Sequence, residues 1–414
     1  MRTLLLTSVL PWPLRRNGGA QRTALLKRAL EQHGPVDVLA VGGPMLRDEA
    51  DPHFDSKCAA WGVLACVVVK PHIGKTPVYL PGPLGNLWRT VRGYESAYEP
   101  DPAAAALMAR HMATGKYDLI VSRYLQPAMQ CDALRHGRRV ILDFDDIDHA
   151  AFAHALAAKP WGGLGGRIGS TLVQRKLDRI VTTAVGAFGA VTVTSEEDRA
   201  YLPPAAKPAV VLPNVAYSDS RAGDLPALPP ADESREALFV GDLQFPPNRE
   251  GLDRFCEKVW PLVRTAVPDA TLSIVGRGLT DRDRARWAAV AGVNVIGFAE
   301  DLTECYRRCA MTIVPTYFGG GTKIKVLESL AFGRTLATTP HAMRGYAPLA
   351  EGTPPAVAVA DTDADFAEAC THLLQHPALR NAMAARGRAV VEADFSFAKF
   401  SGIVEGLITR VMSR

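Results

Sequence analysis

The stretch Val314–Thr339, VPTYFGGGTKIKVLESLAFGRTLATT, holds the residues whose types and spacing best suit chemistry. A short apolar run ends at Pro315, and Gly319, Gly320 and Gly321 follow. Next come Thr322, Lys323, Lys325 and Glu328, and Gly333 precedes a second apolar run. Read as strand, turn and helix, the spacing predicts a helix over 322–332 that the three glycines open. Backbone N–H groups at such a terminus can approach an anion closely, and the helix dipole favours negative charge there. A phosphate or pyrophosphate is the expected anion, with the two lysines adding charge. Glu328, one turn deeper, offers acceptor oxygens to hydroxyls just past the anion, as in a ribose diol. The same residues also suit an ordinary turn before an ion-paired surface helix.

A second loop of this kind is PWPLRRNGGAQR, where Gly18 and Gly19 begin the next helix and Arg22 lies within its first turns. It suits a phosphate, or only a plain strand-to-helix turn. Between Ile141 and His154, Asp143, Asp145, Asp146, Asp148 and His149 follow an apolar run. Acid-rich loops hold metals in some folds, yet helix capping and solvated charge account equally well for this one. The GRG at Gly276–Gly278 lacks the third glycine of a dinucleotide fingerprint, since Asp281 takes that place. The seven cysteines show neither paired spacing nor His partners, which predicts reduced thiols rather than metal ligands or disulfides.

The elements that must position these groups follow a regular rhythm. The 414 residues, 48% hydrophobic and 22% charged, predict two or three domains of ordinary globular composition. Short β-branched runs alternate with helix-period segments nearly throughout, which predicts α/β structure with parallel sheets. Strands are expected at 2–9, 36–41, 62–69, 117–122, 140–143, 190–194 and 209–212, then at 237–241, 271–275, 293–296, 310–315, 335–338 and 356–360. The rhythm breaks in the Pro-, Ser- and Asp-rich stretch 213–236. The expected organisation is therefore an N-terminal Rossmann-like domain over 1–213, a linker over 214–236 and a C-terminal Rossmann-like domain over 237–395. A terminal helix over 396–414 is expected to pack back on the first domain. Two doubly wound sheets joined in this way would face a central cleft.

Charge is unevenly spread: 25 Lys and Arg against 19 Asp and Glu up to Asn214, then 22 against 24. Without dense basic clusters and interleaved aromatics, nucleic acid is not an expected partner. Apolar runs of about a dozen residues fall short of the roughly 18 needed to span a bilayer. The N-terminal apolar run, cut by Pro11 and Pro13, reads as a buried strand rather than a signal peptide. A cytoplasmic protein is expected, with the basic N-terminal half suited to loose contact with an anionic inner-membrane face.

The glycine-rich stretch resembles the nucleotide-sugar signature of glycosyltransferase family 4 of the GT-B fold. FVGDLQFPPNREGLDRF (239–255), LSIVGRG (272–278), VIGFAEDL (295–302), and VTVTSEEDRAYL (191–202) with VLPN (211–214) are similar to further segments of that family, in the same order. The resemblance implies a transferase that moves a sugar from a nucleoside diphosphate to an acceptor hydroxyl, with retention and without a metal or other cofactor. It implies that Glu328 holds the ribose and that Lys325, Lys323, Gly319–Gly321 and Thr322 hold the diphosphate. Gly241, Arg249, Gly276 and Phe298 complete the implied donor site, and Gly18, Gly19 and Arg22 form a loop on the acceptor and pyrophosphate side. Asp146, Asp148 and His149 are implied near the reacting sugar or the acceptor proton. A glycan or lipid-linked acceptor is expected. Many relatives carry an earlier sugar-binding Glu where this chain has Gly320, and a basic pair where it has Asp242 and Asn248. Those departures keep open a non-catalytic subunit, or an epimerase or phosphorylase on the same scaffold.

Overall fold

The computed structural model describes residues 1–12, 18–46, 51–69, 82–115, 117–158, 160–203, 209–216, 225–299 and 301–413. The chain divides into two compact units. One is built on the N-terminal strand, Gly19–Pro213 and Phe400–Arg414, the other on Asn214–Lys399.

In the first unit the strands are β1 (Thr3–Thr7), β2 (Val36–Gly42), β3 (Val63–Val68), β4 (Leu119–Arg123), β5 (Val140–Asp143), β6 (Ala190–Val193) and β7 (Val210–Val211). They form a parallel sheet in the order β3-β2-β1-β4-β5-β6-β7. The second unit contains β8 (Glu236–Val240), β9 (Thr271–Val275), β10 (Val293–Gly297), β11 (Met311–Val314), β12 (Leu336–Thr338) and β13 (Ala358–Val359). These are parallel in the order β10-β9-β8-β11-β12-β13. All thirteen expected strands are present, with ends displaced by no more than two residues.

Burial explains why the sequence rhythm was readable. β1, β4, β5 and β6 are buried at every position, as strands covered by helices on both faces must be. Edge strand β3 instead exposes Leu64 and Val68. In each sheet the strand order reverses once, between β1 and β4 and between β8 and β11. Open α/β sheets bind ligands outside the carboxyl ends of strands at such reversals.

Two helices of the second unit have local features with identifiable reasons. The helix after β8 begins at Pro246 and widens over Phe255–Val259 before Trp260–Ala266. Pro261 has no N–H and its ring crowds the preceding turn, which the wider turn relieves. The helix expected over 322–332 is Ile324–Ala331, so the glycines form a loop ahead of it instead of opening it. Gly319 and Gly321 have φ of 104° and 61°, a left-handed backbone that interrupts the helix and suits glycine.

Part of the expected linker is fixed to the second unit. Arg388 donates to the Leu225 carbonyl, Arg334 to that of Pro229, and Arg380 to those of Ala231 and Asp232. Residues 217–224 lie outside the described residues.

The first unit is organised around a buried carboxylate at the end of β5. Asp143 accepts from Arg22 Nε at 2.9 Å and NH2 at 2.6 Å, and from Thr192 Oγ1 at 2.6 Å. Arg123 lies behind it and bonds Thr23 Oγ1 and Asp145. Burial alone would raise the Asp143 carboxyl, but the charges and hydrogen bonds of Arg22, with Arg123 and Thr192, hold it below the usual carboxylate range. Asp143→Ala would leave two buried guanidinium groups short of their counter-charge, an expected loss of about 3–5 kcal/mol. Hydrogen exchange of the β1, β4 and β5 amides reads this loss within the unit, and a loss under about 1 kcal/mol would contradict it.

Candidate functional site

At the strand-order reversal of the second sheet, the loops after β8 and β11 approach each other. Gly319 lies against Pro247, and its carbonyl is 2.9 Å from His341 Nε2. Lys323 turns its ammonium back onto the carbonyls of Gly320 and Gly321, so this lysine shapes the loop. Thr322 Oγ1 accepts from Asn214 Nδ2 at 2.8 Å. Within the same loop, the Thr316 hydroxyl and the Tyr317 phenol oxygen are buried without a hydrogen-bond partner among the described residues.

Lys325 lies in the first turn of the helix Ile324–Ala331 and reaches down to the end of β8. Its ammonium donates to Asn248 Oδ1 at 2.7 Å and sits 4.9 Å from the Phe239 ring centroid. A Cβ at Gly241 would come within 3.0 Å of that nitrogen, so the glycine makes room for the charge. Burial, reinforced by the like charge of Lys323, pushes the ammonium down to about 7 against the pull of Glu328 and Asp242. Asn248 in turn donates to the Asp242 carbonyl at 2.8 Å, and the Asp242 carboxylate accepts from Arg277 Nε and NH2 at 3.0 and 2.6 Å. One polar chain thus runs from the helix to the loops after β8 and β9.

Glu328 Oε1 accepts from the Tyr306 hydroxyl at 2.9 Å. The Tyr306 ring is fully buried and stacks on Phe332 at 4.3 Å. Burial and the adjacent Glu328 charge push the phenol well above its ordinary value, which keeps it a donor. The carboxylate is thereby held in one orientation.

Other expected donor residues are placed differently from one another. Gly276 follows β9 so closely beside Gly241 that a Cβ would overlap the Gly241 carbonyl oxygen. Phe298 follows β10 and is 58% exposed, an open aromatic face. Arg249 is committed to protein groups: the Leu243 and Gly278 carbonyls and the Asp283 carboxylate at 3.2 Å. It serves here as a strut between the β8 and β9 loops.

Gly18 and Gly19 open the helix Gly18–Glu31, while residues 13–17 of the loop before it lie outside the described residues. Arg22 faces inward onto Asp143 and the Leu212 carbonyl. The acid-rich segment is divided among separate partners. Asp145 accepts from Arg123 and Tyr124, and Asp148 Oδ1 accepts from the Tyr98 hydroxyl at 2.5 Å. Asp146 is exposed. Burial raises the Asp148 carboxyl above its ordinary value. His149 Nε2 lies 2.9 Å from the Tyr201 carbonyl, which places its proton on that nitrogen. Its Nδ1, the atom left to accept a proton, is out of solvent with no partner among the described residues.

Sequence reading missed Arg277 and Tyr306. The only signal for the former was the GRG after a strand, and its partner Asp242 is 35 residues away. Tyr306 sits in an unremarkable helix, Thr303–Arg308, and only packing brings it to Glu328.

Two doubly wound parallel sheets on one chain, with a glycine loop, lysine and carboxylate at the strand-order reversal of the second, define a GT-B architecture. Residues 234–376, within the second unit, match the family model described as glycosyl transferases group 1. Among solved structures, the chain is similar to sucrose-phosphate synthase from Thermosynechococcus elongatus, with TM-score 0.65, 17% identity and 100% of both chains covered. It is also similar to WaaG, a glycosyltransferase of lipopolysaccharide biosynthesis, with TM-score 0.61 and 15% identity over 98% of this chain and 100% of that one. A third is Anabaena HepE in complex with UDP and glucose, with TM-score 0.60 and 14% identity over 98% and 99% of the two chains. No curated protein sequence matches the chain.

Lys325 makes the site sensitive to pH. A diphosphate beside it would favour the charged ammonium, so the complex would hold more protons than the free protein once pH exceeds about 7. Nucleoside diphosphate affinity is expected to fall from about pH 7 toward 9, by at most about tenfold per unit. Lys325→Arg keeps its charge throughout and is expected to flatten the profile. Calorimetry at pH 8 in buffers of different ionisation enthalpy measures the proton uptake. Zero uptake by the wild-type protein would contradict this account.

Proposed function

We propose that this chain transfers a sugar from a nucleoside diphosphate sugar to an acceptor hydroxyl, retaining the anomeric configuration and using no metal. The observation that carries the reading is the junction of the Gly319–Gly321 loop with Lys325 and a Glu328 carboxylate oriented by Tyr306. In the reaction the bond from the anomeric carbon to the diphosphate oxygen breaks, and a bond to the acceptor oxygen forms as its proton leaves. The main electrostatic task is to stabilise charge growing on the departing diphosphate. Loop and helix N–H groups and the Lys325 ammonium would supply that stabilisation, and Glu328 would accept hydrogen bonds from the ribose. Arg277, held by Asp242, adds a cation where the sequence lacks the family's usual basic pair.

HepE, solved with UDP and glucose, and WaaG, named for lipopolysaccharide biosynthesis, support a nucleotide-sugar donor and a glycan or lipid-linked acceptor. The reading places the protein in polysaccharide or glycolipid synthesis at the cytoplasmic side of the inner membrane, with peripheral membrane contact. Asp146, Asp148 and His149 are the proposed acceptor-side residues, and Asp148, with its raised carboxyl, is the first of them to test as a base.

Nucleotide release from UDP-glucose, GDP-mannose and ADP-glucose, measured in EDTA with and without a glycolipid extract, tests the reading. One donor is expected to be consumed, with kcat/KM reduced about a hundredfold or more in Glu328→Ala. Turnover that requires a divalent cation, or that is unchanged in Glu328→Ala, would contradict it.

A further inference from the structure

Large exposed apolar side chains are mostly scattered singly over this protein, as on any globular surface, but three of them share one line of one helix. The helix Gly163–Ala187 exposes Leu164 by 76%, Ile168 by 45% and Leu172 by 39%. Spaced four apart, they form a continuous stripe. The helix is fixed from its other side, where Val173, Leu177, Val181 and Ala184 are buried in the core of the first unit. Nothing in the packing of that core requires apolar groups on the stripe.

Charge on the same helix indicates what covers it. Arg175 and Arg179 continue the line beyond Leu172, and Arg167 flanks it between Leu164 and Ile168. All three are exposed, and none has an ion pair among the described residues. Lys176, by contrast, is paired with Glu95 at 2.5 Å. An apolar stripe that passes into unpaired arginines matches the boundary between acyl chains and anionic headgroups better than it matches a second protein surface. A partner protein would have to supply an acidic patch next to an apolar one, whereas an anionic bilayer presents both at the required depth. Among the described residues, no helix is long and apolar enough to cross a membrane, so contact through this helix would be peripheral.

We propose that this stripe docks the first unit on an anionic bilayer surface, with Leu164, Ile168 and Leu172 at the acyl boundary and Arg167, Arg175 and Arg179 among the headgroup phosphates. The inference names the face for the peripheral contact in the proposed function and rests on that reading for the membrane but not for the donor.

Vesicle flotation with the full chain and no nucleotide keeps the two separable, because a protein that releases nucleotide but does not float would refute only the docking face. Vesicles of phosphatidylcholine alone are compared with vesicles of phosphatidylcholine and phosphatidylglycerol in equal parts. The wild-type protein is expected to float with the anionic vesicles and not with the neutral ones. L164Q/I168Q, which changes only exposed side chains, is expected to partition at least about tenfold more weakly. R167Q/R175Q is expected to lose a similar factor at low salt and to approach wild type at high salt. Matching thermal unfolding curves for the three proteins show that the fold is kept. Absence of wild-type binding, equal binding to both vesicles, or unchanged binding of L164Q/I168Q would overturn the proposal. So would a wild-type dimer that L164Q/I168Q converts to monomer, since a second copy would then cover the stripe.

Discussion

The second unit depends on backbone approaches that leave no space for a side chain. A Cβ at Gly251 would overlap the Pro315 carbonyl oxygen, and one at Gly276 would overlap that of Gly241. These glycines let the helix after β8 press against the end of β11, and let the ends of β8 and β9 lie side by side. Asn248 is thereby brought under the helix that carries Lys325, and Asp242 beside Arg277. The polar chain linking three loops follows from that packing. A lysine buried there without Asn248 and the ring face of Phe239 would be costly, and even with them its ammonium is held near neutrality.

The first unit meets a similar demand with charge. Arg22, Asp143 and Arg123 come from the first helix, β5 and β4, and their mutual bonds hold the carboxyl ends of the central strands together. Tyr124, which follows β4, has φ of 70° and is kept in that uncommon conformation by the stacked Arg123 guanidinium and by Asp145. The acid-rich segment, which the sequence leaves open between a ligand loop and helix capping with solvated charge, is thus in part the ionic centre of a fold.

Much of this was legible in the sequence because parallel strands buried on both faces read as short apolar runs, and the helices between them keep their own period. Both sheets and the glycine loop of the second could be placed from that rhythm. The remainder was not local. Whether Arg22 meets a ligand or Asp143 depends on a contact 121 residues distant, and whether Lys323 binds an anion or its own loop depends on the left-handed turn at Gly319 and Gly321. Arg249 looked like a free cation beside the donor loop, yet it is committed to Asp283 and two carbonyls. Residue type indicated where charge gathers; the three-dimensional fold determined which charges have protein partners.

The central claim is that the loop after β11, with Lys325 and Glu328, holds a nucleoside diphosphate. Calorimetric titration of the full chain with UDP, GDP and ADP in EDTA tests it most directly, since it needs no acceptor and no turnover. The account predicts saturable binding of one nucleotide at sub-millimolar concentration, lost in Glu328→Ala while the unfolding temperature is kept. Absence of binding by all three at millimolar concentration, or binding indifferent to Glu328→Ala, would contradict it.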